Sequence, residues 1–139
     1  LTRKTRMVLC KSQNLFFGPS LSHGSEIGVI ATTEGTSSMD TRLLDFDLES
    51  GGQVAELWDG EGESHNLGEF APLPGDLHML SSTSKSGYEQ PITWNPRTGE
   101  RKELAVADIP GDVDAWQWSK DGRRMLLRQL HEARHQLYV

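Results

Sequence analysis

The stretch "AWQWSKDGRRMLLRQL" (residues 115–130) decides the fold, because two earlier stretches share its pattern. These are "LFFGPSLSHGSEIGVIATT" (15–33) and "LGEFAPLPGDLHMLSST" (67–83). In each, a short apolar run ends at an aromatic residue, and a turn containing Gly precedes a second β-like run. The aromatic residues are Phe17, Phe70 and Trp118, which recur at a spacing of about 50 residues. The chain therefore contains an internal repeat.

A second pair of stretches repeats in step with the first. "LLDFDLESGGQVAEL" (43–57) matches "PITWNPRTGERKEL" (91–104), which places Phe46 and Trp94 at the same spacing as the first landmark. Both stretches predict a strand, a turn of the type Asp/Asn-x-x-Ser/Thr-Gly, and a short strand that ends in Glu-Leu.

Each repeat holds four short strand candidates separated by turn residues. In the middle copy they fall at about 66–71, 77–83, 88–94 and 101–105. Four short strands within one such repeat are typical of a blade of a β-propeller. We therefore predict an all-β chain, a β-propeller fragment of about two and a half four-stranded antiparallel blades. Residues 1–139 are expected to form one partial propeller domain, with blades at 14–62, 63–110 and, incomplete, 111–139.

An incomplete propeller leaves apolar blade faces open at each end of the stack. It also leaves an unpaired strand edge, here at residues 137–139. We expect further blades or self-association to cover these faces. The segment "TRMVLC" (5–10) is a candidate for the closing strand of a preceding blade.

Composition excludes several classes of function. The net charge of −6 argues against nucleic-acid binding, and the cluster Arg3-Lys4-Arg6 is too short to change that. Cys10 is the only cysteine, so neither an intrachain disulfide nor a cysteine-based zinc cage is expected. The chain has no long apolar run and no signal peptide, and we expect a cytoplasmic protein without membrane contact.

The blade motifs carry a family resemblance. "AWQWSKDGRRMLLRQL" (115–130) is close to W-S-P-D-G-R-x-L-L, with Lys120 in place of Pro, and "HQLYV" (135–139) follows it. "FDLESGG" (46–52) and "WNPRTGE" (94–100) fit a D-L-x-T-G-E turn. The sequence thus resembles the amino-terminal propeller of the prolyl oligopeptidase family, particularly its acylaminoacyl-peptidase-like members.

The resemblance implies a serine peptidase acting on short peptides, in which the propeller gates access to a carboxy-terminal α/β-hydrolase domain. Partners would be that domain and short peptides. This chain has no G-x-S-x-G nucleophile elbow, so we assign it no catalytic residue, cofactor or metal ligand. The alternative is a stand-alone propeller used as a binding or scaffolding module.

His131-Glu132-Ala133-Arg134-His135 has the spacing H-E-x-x-H, and a zinc metallopeptidase is therefore a remote alternative. On a helix, the two imidazoles could bind one zinc ion while Glu132 activates a water molecule. The repeat, however, places a β-hairpin here, and the preceding Lys-Asp-Gly is a turn. We predict a hairpin whose connection is residues 132–134.

Other groups of residues receive structural interpretations. The tryptophans at matching repeat positions are predicted to pack between blades. The acidic stretches 45–49 and 59–63 are predicted to be solvated turns, because neither fits a calcium-binding loop. His23, His65 and His78 show no ligand spacing, and the arginines near 122–124 are predicted to be surface charges.

Overall fold

The computed structural model describes residues 6–36 and 39–139. Within these ranges the chain forms eleven β-strands and no helix. No helix that could span a membrane is therefore found in the described part of the chain. The strands are β1 (Phe16–Leu21), β2 (Ile27–Thr32), β3 (Arg42–Asp47), β4 (Gln53–Leu57), β5 (His65–Phe70), β6 (Met79–Thr83), β7 (Gln90–Trp94), β8 (Arg101–Glu103), β9 (Asp112–Trp118), β10 (Met125–His131) and β11 (Arg134–Tyr138).

The strands form three antiparallel sheets in simple sequential order. β1–β4 and β5–β8 each make a four-stranded sheet, and β9–β11 make a three-stranded one. We call these blades 1, 2 and 3. The predicted fold class is confirmed, and the predicted strands of the middle copy agree with β5–β8 to within two residues. The division into residue ranges 14–62, 63–110 and 111–139 stays a prediction.

The repeated Gly turn has the same construction in blades 1 and 2. Asp47 Oδ1 accepts hydrogen bonds from the backbone N–H and the hydroxyl of Ser50, and Gly51 follows at φ 76°. In blade 2, Asn95 Oδ1 accepts a hydrogen bond from the backbone N–H of Arg97, and Gly99 has φ 75°. A left-handed residue ends each turn, and glycine adopts that conformation without steric cost.

The first strand of every blade carries a register shift. It lies between Phe17 and Ser20 in β1 and between Leu67 and Phe70 in β5. In β9, Leu127 pairs with Ala115 and Leu126 with Gln117, so that Trp116 has no partner on β10. Such bulges change the direction in which side chains point. β1, β5 and β9, which we call the inner strands, lie side by side across the three blades.

The main apolar cluster lies between blades 1 and 2. Its fully or nearly fully buried members come from β2–β4 on one side and β5–β7 on the other. They are Ile27, Val29, Ala31, Leu43, Leu57, Phe70, Met79, Ile92 and Trp94. Burial of this many large apolar side chains is the chief stabilising contribution visible in the structure.

A second, smaller cluster lies on the other face of blade 1. Ile30, Leu44 and Phe46 are buried there, and Leu9 packs against them. The described part of the predicted closing strand, residues 6–10, is not in a strand. Leu9 packs against blade 1 and the other residues of 6–10 are exposed, so the role of this segment in a preceding blade stays a prediction. Residues 1–5, which include Arg3, Lys4 and the first residue of that segment, lie outside the described ranges.

Candidate inter-blade binding site

A cavity of about 400 Å³ opens where the inner strands of the three blades meet. The residue types around it are mixed, with aromatic walls and several charged or hydrogen-bonding groups. The residues that matter for its chemistry are Phe17 of β1, His65 of β5, Ser82 of β6, Asp114 and Trp116 of β9, and Arg128 of β10. Concave sites that combine apolar walls with a few polar groups are typical of ligand binding.

Trp116 forms one wall of the cavity and is 48% exposed. The sequence-based expectation that it packs between blades is therefore wrong, whereas Trp94 is buried in the main cluster as expected. The bulge explains the difference, because Trp116 is the residue of β9 that has no partner on β10. Trp118 is half-buried, and its Nε1 donates to the carbonyl of Glu69 at 3.3 Å.

Arg128 and Asp114 form an ion pair beside this indole. They are direct cross-strand partners on β10 and β9, and the Arg128 guanidinium donates to Asp114 Oδ2. The guanidinium carbon lies 4.9 Å from the ring centroid of Trp116, which is a cation–π contact. Asp114 is only 7% exposed, and its Oδ1 is buried without a hydrogen-bond partner among the described residues.

Two more carboxylates lie beside this ion pair. Glu89, Asp112, Asp114 and Arg128 line a second cavity of about 130 Å³. Asp112 Oδ1 accepts from the backbone N–H of Glu89 at 2.9 Å, and Glu89 accepts from Asn66 and Ser82. Burial raises the pKa of Glu89, and the negative charges of Asp114 and Asp112 raise it further. The boundary between blades 2 and 3 is therefore acidic.

His65 lies at the wall of the larger cavity and is completely buried. Its Nε2 is 3.3 Å from Asp59 Oδ2, and the backbone of Ser82 lies within reach of the ring, although neither contact has the geometry of a good hydrogen bond. Burial lowers the pKa of His65, although the negative charge of Asp59 opposes the shift. The imidazole is therefore neutral at pH 7.

Asp59, next to His65, forms hydrogen bonds with Arg101 and Thr83. Although burial would raise its pKa, hydrogen bonds from Arg101 and Thr83 hold the pKa of Asp59 at about 2. The Arg101 guanidinium donates to both oxygens, at 2.6 and 3.0 Å, and Thr83 Oγ1 donates at 2.6 Å. The expectation of a solvated acidic turn is therefore wrong for Asp59.

The same expectation is wrong for Asp45 of β3. Its side chain is completely buried, and both carboxylate oxygens lack a hydrogen-bond partner among the described residues. Burial raises the pKa of Asp45 to about 6, although the positive charge of Arg97 opposes the shift. Asp45 follows Leu43 by two residues on β3, so the two side chains lie on the same face of the strand. Leu43 belongs to the main cluster, and Asp45 therefore faces the boundary with blade 2 rather than the cavity.

The H-E-x-x-H residues form a hairpin, as predicted. β10 and β11 pair His131 with Arg134 and Leu130 with His135. Adjacent pairs in an antiparallel ladder point to opposite faces, so the two imidazoles do not converge on one ion. No group of three potential metal-ligating side chains is found within residues 6–36 and 39–139.

No protein-family model and no curated protein matches this sequence. Solved structures do match, and among them is TolB from Acinetobacter baumannii, a β-propeller protein, at a TM-score of 0.68 and 17% identity. The chain has a β-propeller fold. The alignment covers 94% of this chain but 30% of TolB, so the chain spans less than a third of that protein's length. At this identity the likeness shows the fold alone.

Proposed function

We propose that the chain is the non-catalytic, substrate-gating propeller portion of a serine peptidase that acts on short peptides. The observation that carries the proposal is the cavity between the inner strands, which combines the exposed aromatic rings of Phe17 and Trp116 with buried polar groups. Such a surface suits a short extended peptide, and a propeller beside a hydrolase site restricts access by size. The resemblance of residues 115–130 to prolyl oligopeptidase blades supports the same role.

In this proposal, the parent protein supplies the hydrolase domain that carries the nucleophile, the general base and the oxyanion hole. The open faces of blades 1 and 3 then pack against further blades or against a second copy of the chain. The proposed location is the cytoplasm, because Cys10 is an exposed free thiol, and unpaired cysteines are the rule in reducing compartments.

A stand-alone binding propeller is the second candidate function. The observation in its favour is that a cavity with the features of a ligand site is lined by residues of all three blades. This candidate predicts peptide binding without hydrolysis, whereas the first predicts both.

The decisive experiment treats the full-length parent protein with a fluorophosphonate probe, which labels activated serines, and maps the labelled peptide. We expect one labelled serine in a G-x-S-x-G segment outside residues 1–139, and cleavage of short peptides but not of folded proteins. Heat-denatured protein is the control for non-specific labelling. Absence of a labelled serine in protein that still binds short peptides would overturn the peptidase proposal and favour the binding module.

A further inference from the structure

We infer that the inter-blade cavity selects short peptides by an aromatic side chain, which packs against the exposed surface of Trp116. The inference rests on the proposed function in taking a peptide as the ligand, and it adds which kind of side chain the propeller recognises. The groups involved are accessible from the cavity, and the two ends of the peptide play no part.

Phe17 and Trp116 place two large, accessible rings in the cavity wall. They are 55% and 48% exposed, respectively. By contrast, Phe46, Phe70 and Trp94 are at most 6% exposed. A ligand that covers the two accessible rings removes apolar surface from water, which is favourable in proportion to the area covered. The cavity therefore favours an apolar or aromatic group in its ligand.

The bulges of the inner strands direct both rings to the cavity. Phe17 is the last residue of β1 that pairs with β2 before the register shift, and Trp116 is the residue of β9 that has no partner on β10. A bulge changes the direction of the side chains beside it. The exposure of the two rings therefore follows from the backbone of the inner strands.

Arg128 and Asp114 fix the orientation of the Trp116 indole before a ligand binds. The Arg128 guanidinium lies over one face of the ring, with its carbon 4.9 Å from the centroid, and donates to Asp114, which is 7% exposed. Asp114 thus acts through Arg128 and does not contact the ligand. Because the indole is already held, a ligand ring that packs on its remaining exposed surface pays little to order it.

The polar groups of the cavity favour a neutral side chain that has a hydrogen-bond donor. Among the described residues that line the cavity, Asp114 and Arg128 are the charged ones, and they pair with each other. Asn66 is exposed in the same wall. Its Nδ2 donates to Glu89, and no described residue donates to its Oδ1. An indole N–H can donate to that oxygen, so a tryptophan side chain fits both the aromatic walls and the free acceptor.

The experiment is calorimetric titration of the 139-residue chain with capped tripeptides, N-acetyl-glycyl-X-glycine amide, in which X is tryptophan, phenylalanine or leucine. Both ends are blocked, so the peptides differ only in the side chain. We expect the tryptophan peptide to bind about fivefold or more tightly than the leucine peptide, because aromatic pairs gain more than buried area alone provides. The phenylalanine peptide, which lacks the N–H donor, should fall between them.

The affinities of the three peptides decide the matter. Equal affinities for the tryptophan and leucine peptides, or no binding of any of the three, would overturn the inference. A phenylalanine peptide that binds as tightly as the tryptophan peptide would overturn the part assigned to Asn66.

Trp116→Leu locates the contact. It should bring the affinities for the tryptophan and leucine peptides to within about twofold of each other, because it removes the ring on which the aromatic side chain packs. Tyr88→Leu is the matched control, since it removes a ring that is 59% exposed but lies outside the cavity, and the preference should be retained. Loss of the preference in both variants, or in neither, would contradict a direct contact with Trp116. If Trp116→Leu does not fold, the peptide comparison on the unmodified chain still decides the question.

Substitutions of Arg128 test the positioning of the indole. In Arg128→Ala, the tryptophan peptide should bind about threefold more weakly, whereas the affinity for the leucine peptide should change little. Arg128→Lys keeps a cation that can lie over the ring and should restore part of the preference. If Arg128→Ala lowers both affinities alike and lysine rescues neither, Arg128 does not position the indole.

The peptide titrations and the probe-labelling experiment fail separately. A preference for the tryptophan peptide in a protein whose parent shows no labelled serine would retain the aromatic site and remove the peptidase. A labelled serine without any preference among the three peptides would retain the peptidase and remove the aromatic site.

Discussion

The two boundaries between blades differ in chemistry. The boundary of blades 1 and 2 is apolar, and all nine buried members of the main cluster come from those two blades. The boundary of blades 2 and 3 instead contains Glu89, Asp112, Asp114 and Arg128, and a cavity opens at its inner end. The first boundary has the apolar packing that stabilises a fold, with Asp45 as a buried exception, and the second is lined by charged side chains.

The strands of blade 3 are less buried than those of blade 2. Its second strand is mostly half-buried, and β11 is largely exposed, with Leu137 at 62%. In blade 2 the corresponding strands β6 and β7 are almost entirely buried. We therefore expect substitutions in the main cluster to affect stability far more than substitutions in blade 3.

The largest predicted effect is that of Met79→Ala. Met79 is completely buried in the main cluster, and its truncation should lower the free energy of unfolding by about 2–5 kcal/mol, because it removes apolar contacts and leaves a cavity. Leu137→Ala removes a side chain of similar size from β11 and should cost less than about 0.5 kcal/mol. Urea unfolding followed by tryptophan fluorescence measures both. Similar losses in the two variants would contradict the contrast between the boundaries.

The second prediction uses the pH dependence of Asp45, a buried acid inside the apolar boundary. Its pKa is raised from 3.8 to about 6, so the folded state retains a proton that the unfolded state releases. The resulting stabilisation is fully present below about pH 4 and is lost as the pH rises to about 6. Asp45→Asn cannot ionise, so from pH 4 to pH 7 the wild type should lose about 2 kcal/mol relative to this variant.

Asp47, two residues along the same strand, provides the control of opposite sign. Hydrogen bonds from Ser50 and Arg97 hold its pKa well below the usual range. Its contribution is therefore present at neutral pH and is lost as the pH falls through its folded pKa. Unfolding free energies of the wild type, Asp45→Asn and Asp47→Asn across pH 3–8 test both slopes. A difference between wild type and Asp45→Asn that does not change with pH would exclude a buried, titrating Asp45.

The sequence predicted the fold because the fold depends on local, repeated signals. Asp47 and Asn95 occupy equivalent positions of the repeat, and each caps a turn that ends in a left-handed glycine. The predicted hairpin is likewise confirmed, since the repeat outweighs the helical pattern of its apolar residues, although the connection is residues 132–133 and Arg134 begins β11. The residue types that form turns and the spacing of a repeat can both be recognised in a single sequence.

The site was not predictable in the same way, because it depends on contacts between repeats. Asp59 is buried through Arg101, which lies 42 residues further along the chain, and no spacing rule links them. Trp116 was expected to pack because aromatic residues in a propeller repeat usually lie between blades, but the bulge in β9 leaves Trp116 unpaired at the cavity. The observed register places Gly18 and Gly68 in the bulges of β1 and β5, where a glycine could have indicated them, but the unpaired residue of β9 is Trp116, which gives no such signal.

The smallest predicted effect concerns the hairpin of blade 3. Glu132 and Ala133 have φ values of 49° and 60°, a two-residue connection that favours glycine at its second position. Ala133→Gly should therefore raise the free energy of unfolding by about 0.5–1 kcal/mol, because it removes the steric cost of the left-handed conformation. Ala107→Gly is the matched control: this residue is also exposed but has no positive φ, so the same substitution should be neutral or slightly destabilising. If urea unfolding shows the two variants equally destabilised, the connection between β10 and β11 does not have this left-handed geometry.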